Sequence, residues 1–133
     1  MANAHLKGLR VLVIDDEWFM RSTLREVLNT IGFSNVFEAG NAEDGMKETL
    51  RVHPNLVFCD IHMENEDGLA YLAKLRSSSV PGVAEIPVVM LTSERSVEAV
   101  STAKELKVSG YLVKPVSTAS VRSAVDRALK FAY

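Results

Sequence analysis

The chain alternates between short unbroken apolar runs and longer stretches in which apolar residues recur every three or four positions. Four short apolar runs stand out: Val11 to Ile14, Leu56 to Cys59, Val88 to Leu91 and Tyr111 to Val113. Each is too short for an ordinary helix and lacks the apolar/polar alternation of a half-exposed strand, which suits a parallel strand covered on both faces. A weaker run, Val36 to Ala39, carries Glu38 and suits an edge. Between the runs, Leu24, Val27, Leu28 and Ile31 share one face at helical spacing, as do Val121, Ala124, Val125, Ala128 and Leu129. Less regular stripes predict helices over Ala42 to Leu50, Leu69 to Leu75 and Val97 to Leu106. Asn41 and Ser117 are placed as N-caps, Gly32 follows the first helix and Pro54 closes the second.

Strand then helix, repeated five times, predicts an α/β fold: a doubly wound, flavodoxin-like three-layer sandwich around a five-stranded parallel sheet. The order 2-1-3-4-5 is expected, because the polar second strand belongs at an edge and the first and third in the middle. A chain of 133 residues with 47% hydrophobic and 24% charged residues fits one globular domain, with its core at about residues 10–131 and no output domain expected. A net charge of −2 without a Lys/Arg cluster argues against a nucleic-acid surface. No stretch has the length for a bilayer span or the apolar core of a signal peptide, and the single cysteine, Cys59, excludes an internal disulfide. The cytoplasm is the expected compartment, with no membrane partner.

Each apolar run ends in polar residues of a particular kind: Asp15-Asp16-Glu17, Asp60, Thr92-Ser93 and Lys114-Pro115. In open parallel sheets the ligand crevice lies beyond the carboxyl ends of the strands, where the winding reverses. With the expected order, Asp15, Asp16 and Asp60 share one rim, with Thr92 and Lys114 alongside. Crowded carboxylates repel, and a hard divalent cation such as Mg2+ relieves them with the oxygen ligands it prefers. A carboxylate beside such a metal can act as a nucleophile toward phosphorus, forming an aspartyl phosphate. Alone, Asp15 and Asp16 could equally cap the first helix.

On these residues, together with Asp67-Gly68 and Tyr111-Leu-Val-Lys-Pro115, the chain resembles the response-regulator receiver domains of two-component signalling, of the CheY-like, single-domain type. The resemblance implies that Asp60 accepts a phosphoryl group from a histidine kinase or phosphotransfer protein. It further implies that Asp15, Asp16, Asp60 and the backbone carbonyl of His62 hold Mg2+, and that Lys114 and Thr92 meet the phosphoryl oxygens. Tyr111 becomes a switch aromatic, the Lys114-Pro115 bond is often cis, and the fourth helix, fifth strand and last helix form the signalling face toward an unknown protein target. On this reading the chain is a phosphoacceptor that assists its own phosphorylation and dephosphorylation rather than an enzyme. A monomer is expected, with phosphorylation-dependent dimerisation as an option.

Other classes fit less well. A haloacid-dehalogenase-type phosphatase carries Asp-x-Asp after the first strand, whereas this chain has Asp15-Asp16-Glu17, and a flavodoxin-like FMN carrier needs a Ser/Thr/Gly-rich loop there. A receiver that signals without phosphorylation is disfavoured by the complete set of five positions. Cys59 reads as packing on the face opposite Asp60, the His62 ring as exposed, and Trp18 as bordering the pocket or contacting a partner. Glu64 and Glu66 stand where receivers usually carry a proline and a hydrophobic residue, so this loop departs most from the family.

Overall fold

A computed structural model describes residues 4–63, 68–93 and 105–129 of the chain. After a short 3-10 turn, the elements are β1 (Arg10–Ile14), α1 (Trp18–Ile31), β2 (Asn35–Ala39), α2 (Ala42–Val52), β3 (Leu56–Asp60), α3 (Gly68–Arg76), β4 (Val88–Thr92), β5 (Gly110–Val113) and a C-terminal helix (Thr118–Leu129). All five strand positions follow the apolar runs to within a residue. The strands form one parallel sheet in the order β2-β1-β3-β4-β5. The helix expected over Val97 to Leu106 lies almost wholly outside the described residues, as do Glu64, Glu66 and Asp67.

The unbroken apolar runs have a direct cause in the layering. Successive strand side chains point to opposite faces, and here both faces are covered. Val11, Val13, Leu56, Phe58, Val89 and Leu91 pack with Leu24, Leu28 and Ile31 of α1 and with Val121, Ala124 and Val125 of the C-terminal helix. Leu12, Ile14, Val57, Cys59, Val88 and Met90 pack on the other side with Ala42 of α2 and with Tyr71, Leu72 and Leu75 of α3. Cys59 therefore lies on the face opposite Phe58, and alternation along β3 puts Asp60 on the Phe58 side, as expected.

Helix ends follow local chemistry. Asn41 Oδ1 accepts the Asp44 amide at 2.7 Å, and Ser117 Oγ accepts the Ser120 amide at 3.0 Å while Ser120 Oγ accepts the Ser117 amide at 3.0 Å. Gly32, at φ 139°, closes α1 with its amide on Leu28 O. The stop after α2 is made one residue before Pro54, by His53 at φ 47° in the left-handed region. Pro54 acts through that neighbour, because its ring disfavours the helical conformation for the residue before it.

At the far end of the sheet from Asp60, Arg76 joins three segments. Its guanidinium donates to the carbonyls of Leu106 (2.8 Å), Ala84 (2.9 Å), Ile86 (2.8 Å) and Lys107 (3.0 Å). The approach to β5 is thereby tied to the end of α3, and burial holds the Arg76 pKa below its usual value. No described helix is long and apolar enough to cross a membrane.

Candidate functional site: an acidic rim with one lysine

Three strand ends deliver the site. Asp15 follows β1 and is fully buried, its amide still paired with Ala39 O of β2 at 3.1 Å. Asp60 is the last residue of β3 and only 5% exposed, whereas Asp16 stands in the open. One carboxylate oxygen from each of the three lies within 4.8 Å of the others, close enough for a single cation. The sequence placed these residues together, and the sheet order does so through the adjacency of β1 and β3.

Lys114 supplies the opposing charge. Its Nζ lies 2.9 Å from Asp15 Oδ2, 3.0 Å from Asp60 Oδ2 and 3.4 Å from Glu17 Oε1. The contact with Asp15 Oδ2 is the shortest of the three and pairs a fully buried carboxylate with the ammonium. Asp60 Oδ1 accepts the His62 amide at 3.1 Å, which fixes the orientation of the carboxylate, and the His62 ring is exposed. The Lys114–Pro115 bond is cis.

Asp15 and Asp16 do not cap α1. The N-cap is Glu17, which makes no side-chain cap bond, and its amide is received by Asp15 Oδ1 at 2.9 Å. Asp15 braces the turn with one oxygen and leaves the other facing the rim. Thr92, 2% exposed, ends β4 and accepts the Lys114 amide on its carbonyl at 2.8 Å, so the two are linked through the backbone. Tyr111 is half-buried against the α2/α3 side of the core, and burial raises its pKa. Trp18 opens α1 at 69% exposure, its ring edge-on to Phe19 with centroids 6.0 Å apart.

Gly68, at the start of α3, explains its own identity. A Cβ there would sit 1.9 Å from the carbonyl oxygen of Asp60, and the Gly68 amide donates to Ile61 O at 2.7 Å. Only glycine lets α3 begin this close to the end of β3.

Burial is the largest influence on Asp60 and raises its pKa. The hydrogen bond from Lys114 works the other way and the nearby Asp15 charge adds to the rise. For Lys114 burial alone would favour the neutral amine, but the bonds and charges of Asp15 and Asp60 together outweigh it and push the ammonium up. Three carboxylates against one ammonium leave a surplus of negative charge. Oxygen donors in this arrangement fit a hard divalent cation.

Two contacts were not anticipated from the sequence. Glu17 reaches Lys114 from the solvent side, and Arg21 donates to the backbone carbonyl of Asp15 at 2.5 Å. Neither carries a spacing signal that separates it from the ordinary surface charge of a first helical turn.

A parallel five-stranded α/β sandwich with carboxylates and a lysine on the carboxyl rim defines a class of phosphoacceptor switch. Residues 11–126 match the family model of the response regulator receiver domain, and the chain belongs to that family. It is 34% identical over 91% of its length to "Probable transcriptional regulator ycf27" of Porphyridium aerugineum, of which it spans 48%. Against "Chemotaxis protein CheY-3" of Vibrio cholerae it is 27% identical, covering 91% of this chain and 92% of the relative. The fold superimposes on Vibrio cholerae CheY4 with a TM-score of 0.84 at 24% identity, covering 91% of this chain and 98% of the other. A signal receiver domain of a diguanylate cyclase from Desulfovibrio desulfuricans gives 0.80 at 25% identity, covering 92% and 94%. Receiver domains are phosphoacceptor signalling modules of two-component systems that generally bind Mg2+ at an acidic pocket and take their phosphoryl group from a histidine kinase or phosphotransfer partner.

Proposed function

We propose that Asp60 is the phosphoacceptor of this receiver, that Asp15, Asp16, Asp60 and the His62 carbonyl hold Mg2+, and that the chain signals by contact with a partner protein. The observation that carries this reading is Lys114 Nζ poised between Asp15 Oδ2 and Asp60 Oδ2 beside a three-carboxylate cluster.

In the transfer, a carboxylate oxygen of Asp60 forms a bond to the phosphorus of a phosphohistidine. The P–N bond breaks, and the imidazole of the donor keeps the electron pair and takes up a proton. When bound, Mg2+ neutralises charge on the phosphoryl oxygens. Lys114 moves its contact from the Asp60 carboxylate to a phosphoryl oxygen, a charge-assisted bond. Thr92 turns its hydroxyl to another, and Tyr111 follows Thr92 inward. The new group brings about 1.5 to 2 negative charges, and shifting a two-state element from 1:99 to 99:1 needs about 5.5 kcal/mol of differential contact. The responding face is β5 with the C-terminal helix and the segment before β5, and the domain acts as a switch rather than an enzyme.

Incubation with acetyl phosphate and Mg2+, read by intact mass, tests the assignment. One phosphoryl adduct on wild type that is absent from Asp60→Asn is expected. An adduct that persists in that variant would move the site elsewhere.

A further inference from the structure

Arg21 lies outside the acid cluster yet donates to its backbone. The chain leaves β1 at Ile14 and turns through Asp15 to Glu17 into α1. In that turn Arg21 Nη1 donates to Asp15 O at 2.5 Å, while the Arg21 amide donates to Glu17 O at 3.1 Å. The same guanidinium donates through Nε to Glu38 Oε1 on β2 at 3.1 Å, and the other oxygen of Glu38 takes Arg25 Nε at 2.6 Å. The Arg21 side chain is 20% exposed and that of Glu38 28%, so the clamp is largely withdrawn from solvent.

The carbonyl of Asp15 belongs to the planar peptide unit that joins the Cα atoms of Asp15 and Asp16. Holding its oxygen fixes the plane and therefore the directions in which both side chains leave the backbone. The Asp15 end is held as well by its amide on Ala39 O and by Oδ1 on the Glu17 amide, and Arg21 adds the hold on the peptide plane itself. The guanidinium does this without occupying the carboxylates, because its described bonds go to a carbonyl and to Glu38. Glu38 keeps it from turning toward the acids and competing with a cation.

We propose that Arg21 is the positioning residue of the Mg2+ site, setting the metal affinity of Asp15 and Asp16 through the peptide between them. This rests on the reading above that those carboxylates hold Mg2+. Groups that orient metal ligands from behind typically change affinity 10–100-fold when removed. Arginine is required rather than any cation, because its planar fork serves two acceptors at once, whereas a lysine ammonium is a point charge on a flexible stem.

The test is Mg2+ binding by isothermal titration calorimetry on wild type, Arg21→Gln, Arg21→Lys and Arg25→Gln, with thermal unfolding of each in EDTA. Arg21→Gln is expected to weaken Mg2+ binding at least tenfold and Arg21→Lys several-fold. Arg25→Gln also removes a bond to Glu38 but has no bond to Asp15, and its affinity should stay within twofold of wild type. Where Arg21→Gln lowers the fraction folded, Arg21→Lys carries the comparison. Wild-type affinity in both Arg21 variants, or an equal loss in Arg25→Gln, overturns the inference while leaving the metal reading intact. Wild-type protein that binds no Mg2+ overturns the metal reading and this inference with it.

Discussion

Lys114 Nζ lies 3.0 Å from Asp60 Oδ2 although β4 separates the strands that carry the two residues. The lysine follows β5 and reaches back over the end of β4 to the end of β3, a span of two strand spacings that only a long side chain can bridge. Its ammonium thereby joins three strand ends, with Asp15 as the third contact. A phosphoryl group on Asp60 would place new oxygens along this same line. Exchange of partners by Lys114 would then act on β5 through the lysine's own backbone, whose amide is bonded to Thr92 O.

Replacing Lys114 with methionine should leave Asp15 and Asp60 buried without their counter-charge. Breaking a buried ion pair from one side costs about 3 kcal/mol or more, and protonation of Asp60 relieves part of it. The variant should therefore unfold at lower urea than wild type in EDTA. Mg2+ should recover more stability in the variant than in wild type, where saturation at 100 times Kd contributes about 2.7 kcal/mol. Equal midpoints in EDTA would mean that the carboxylates do not depend on the lysine. Since both acids push the ammonium up, the wild-type contribution is complete below the ordinary 10.5 and is lost only as pH rises through the higher folded value.

Most of this architecture is legible in the residue pattern, and the reasons are physical. Strands buried on both faces must be apolar throughout, so the run from Val11 to Ile14 and its counterparts mark β1, β3, β4 and β5 almost to the residue. Polar residues at the ends of such runs have few roles: Asp15, Asp60 and Lys114 meet at one rim, and Thr92 ends the strand between Asp60 and Lys114. What the pattern cannot carry is pairing chosen in three dimensions. Arg21 and Arg25 look like any surface arginines of an amphipathic helix, and their shared acceptor Glu38 reads as a polar residue on an edge strand. Arg76 bonds to four carbonyls, a set that only the folded chain assembles. The Asp15-Asp16 pair also permitted helix capping, and the choice fell to geometry because Glu17 took the cap position.

Asp60→Asn should stabilise the metal-free domain at neutral pH, since a neutral amide replaces a desolvated charge beside Asp15 while Lys114 keeps its ion pair with Asp15. Burial raises the folded pKa above the ordinary 3.8, so the folded state binds the proton more tightly than the unfolded chain. Protonation therefore favours folding below 3.8, and this benefit is lost as pH rises through the raised value. The gap between the variant and wild type should accordingly open with rising pH across that window and close in acid. Urea midpoints in EDTA over an acid-to-neutral series check it, and a gap constant with pH would contradict the burial argument.

The buried hydroxyls of Thr49 and Tyr71 meet at 2.7 Å between α2 and α3, in an otherwise apolar layer. Thr49 Oγ1 also lies 2.7 Å from Gly45 O and has one hydrogen to give, so that hydrogen goes to the carbonyl and Tyr71 donates to Thr49. The two truncations should then differ. Tyr71→Phe removes a donor whose acceptor keeps its other bond and should cost about 1 kcal/mol, whereas Thr49→Val strands a buried phenol and should cost about 2 kcal/mol. Urea unfolding of the two variants gives the order, and a reversed order would reverse the donor assignment.

Gly68 and Gly45 are both close-packed helical glycines, and alanine should affect them very differently. At Gly45 the added Cβ would meet Ile14 Cδ1 at 2.6 Å, Cγ1 at 3.1 Å and Cγ2 at 3.3 Å, so a fully buried side chain must shift, and the gain of up to about 1 kcal/mol of helix propensity offsets only part of that. Gly45→Ala should cost about 1 kcal/mol. At Gly68 the contact is the Asp60 carbonyl oxygen at 1.9 Å, so either the start of α3 or the end of β3 must move. Such overpacking against backbone should cost about 3 kcal/mol. Because the displaced carbonyl belongs to Asp60 itself, its carboxylate would also swing away from Lys114 and Asp15. Gly68→Ala should thus lose most acetyl-phosphate labelling under conditions where the protein is still folded, while Gly45→Ala keeps it. Full labelling of a folded Gly68→Ala protein would show that the close approach of α3 is not needed to aim Asp60.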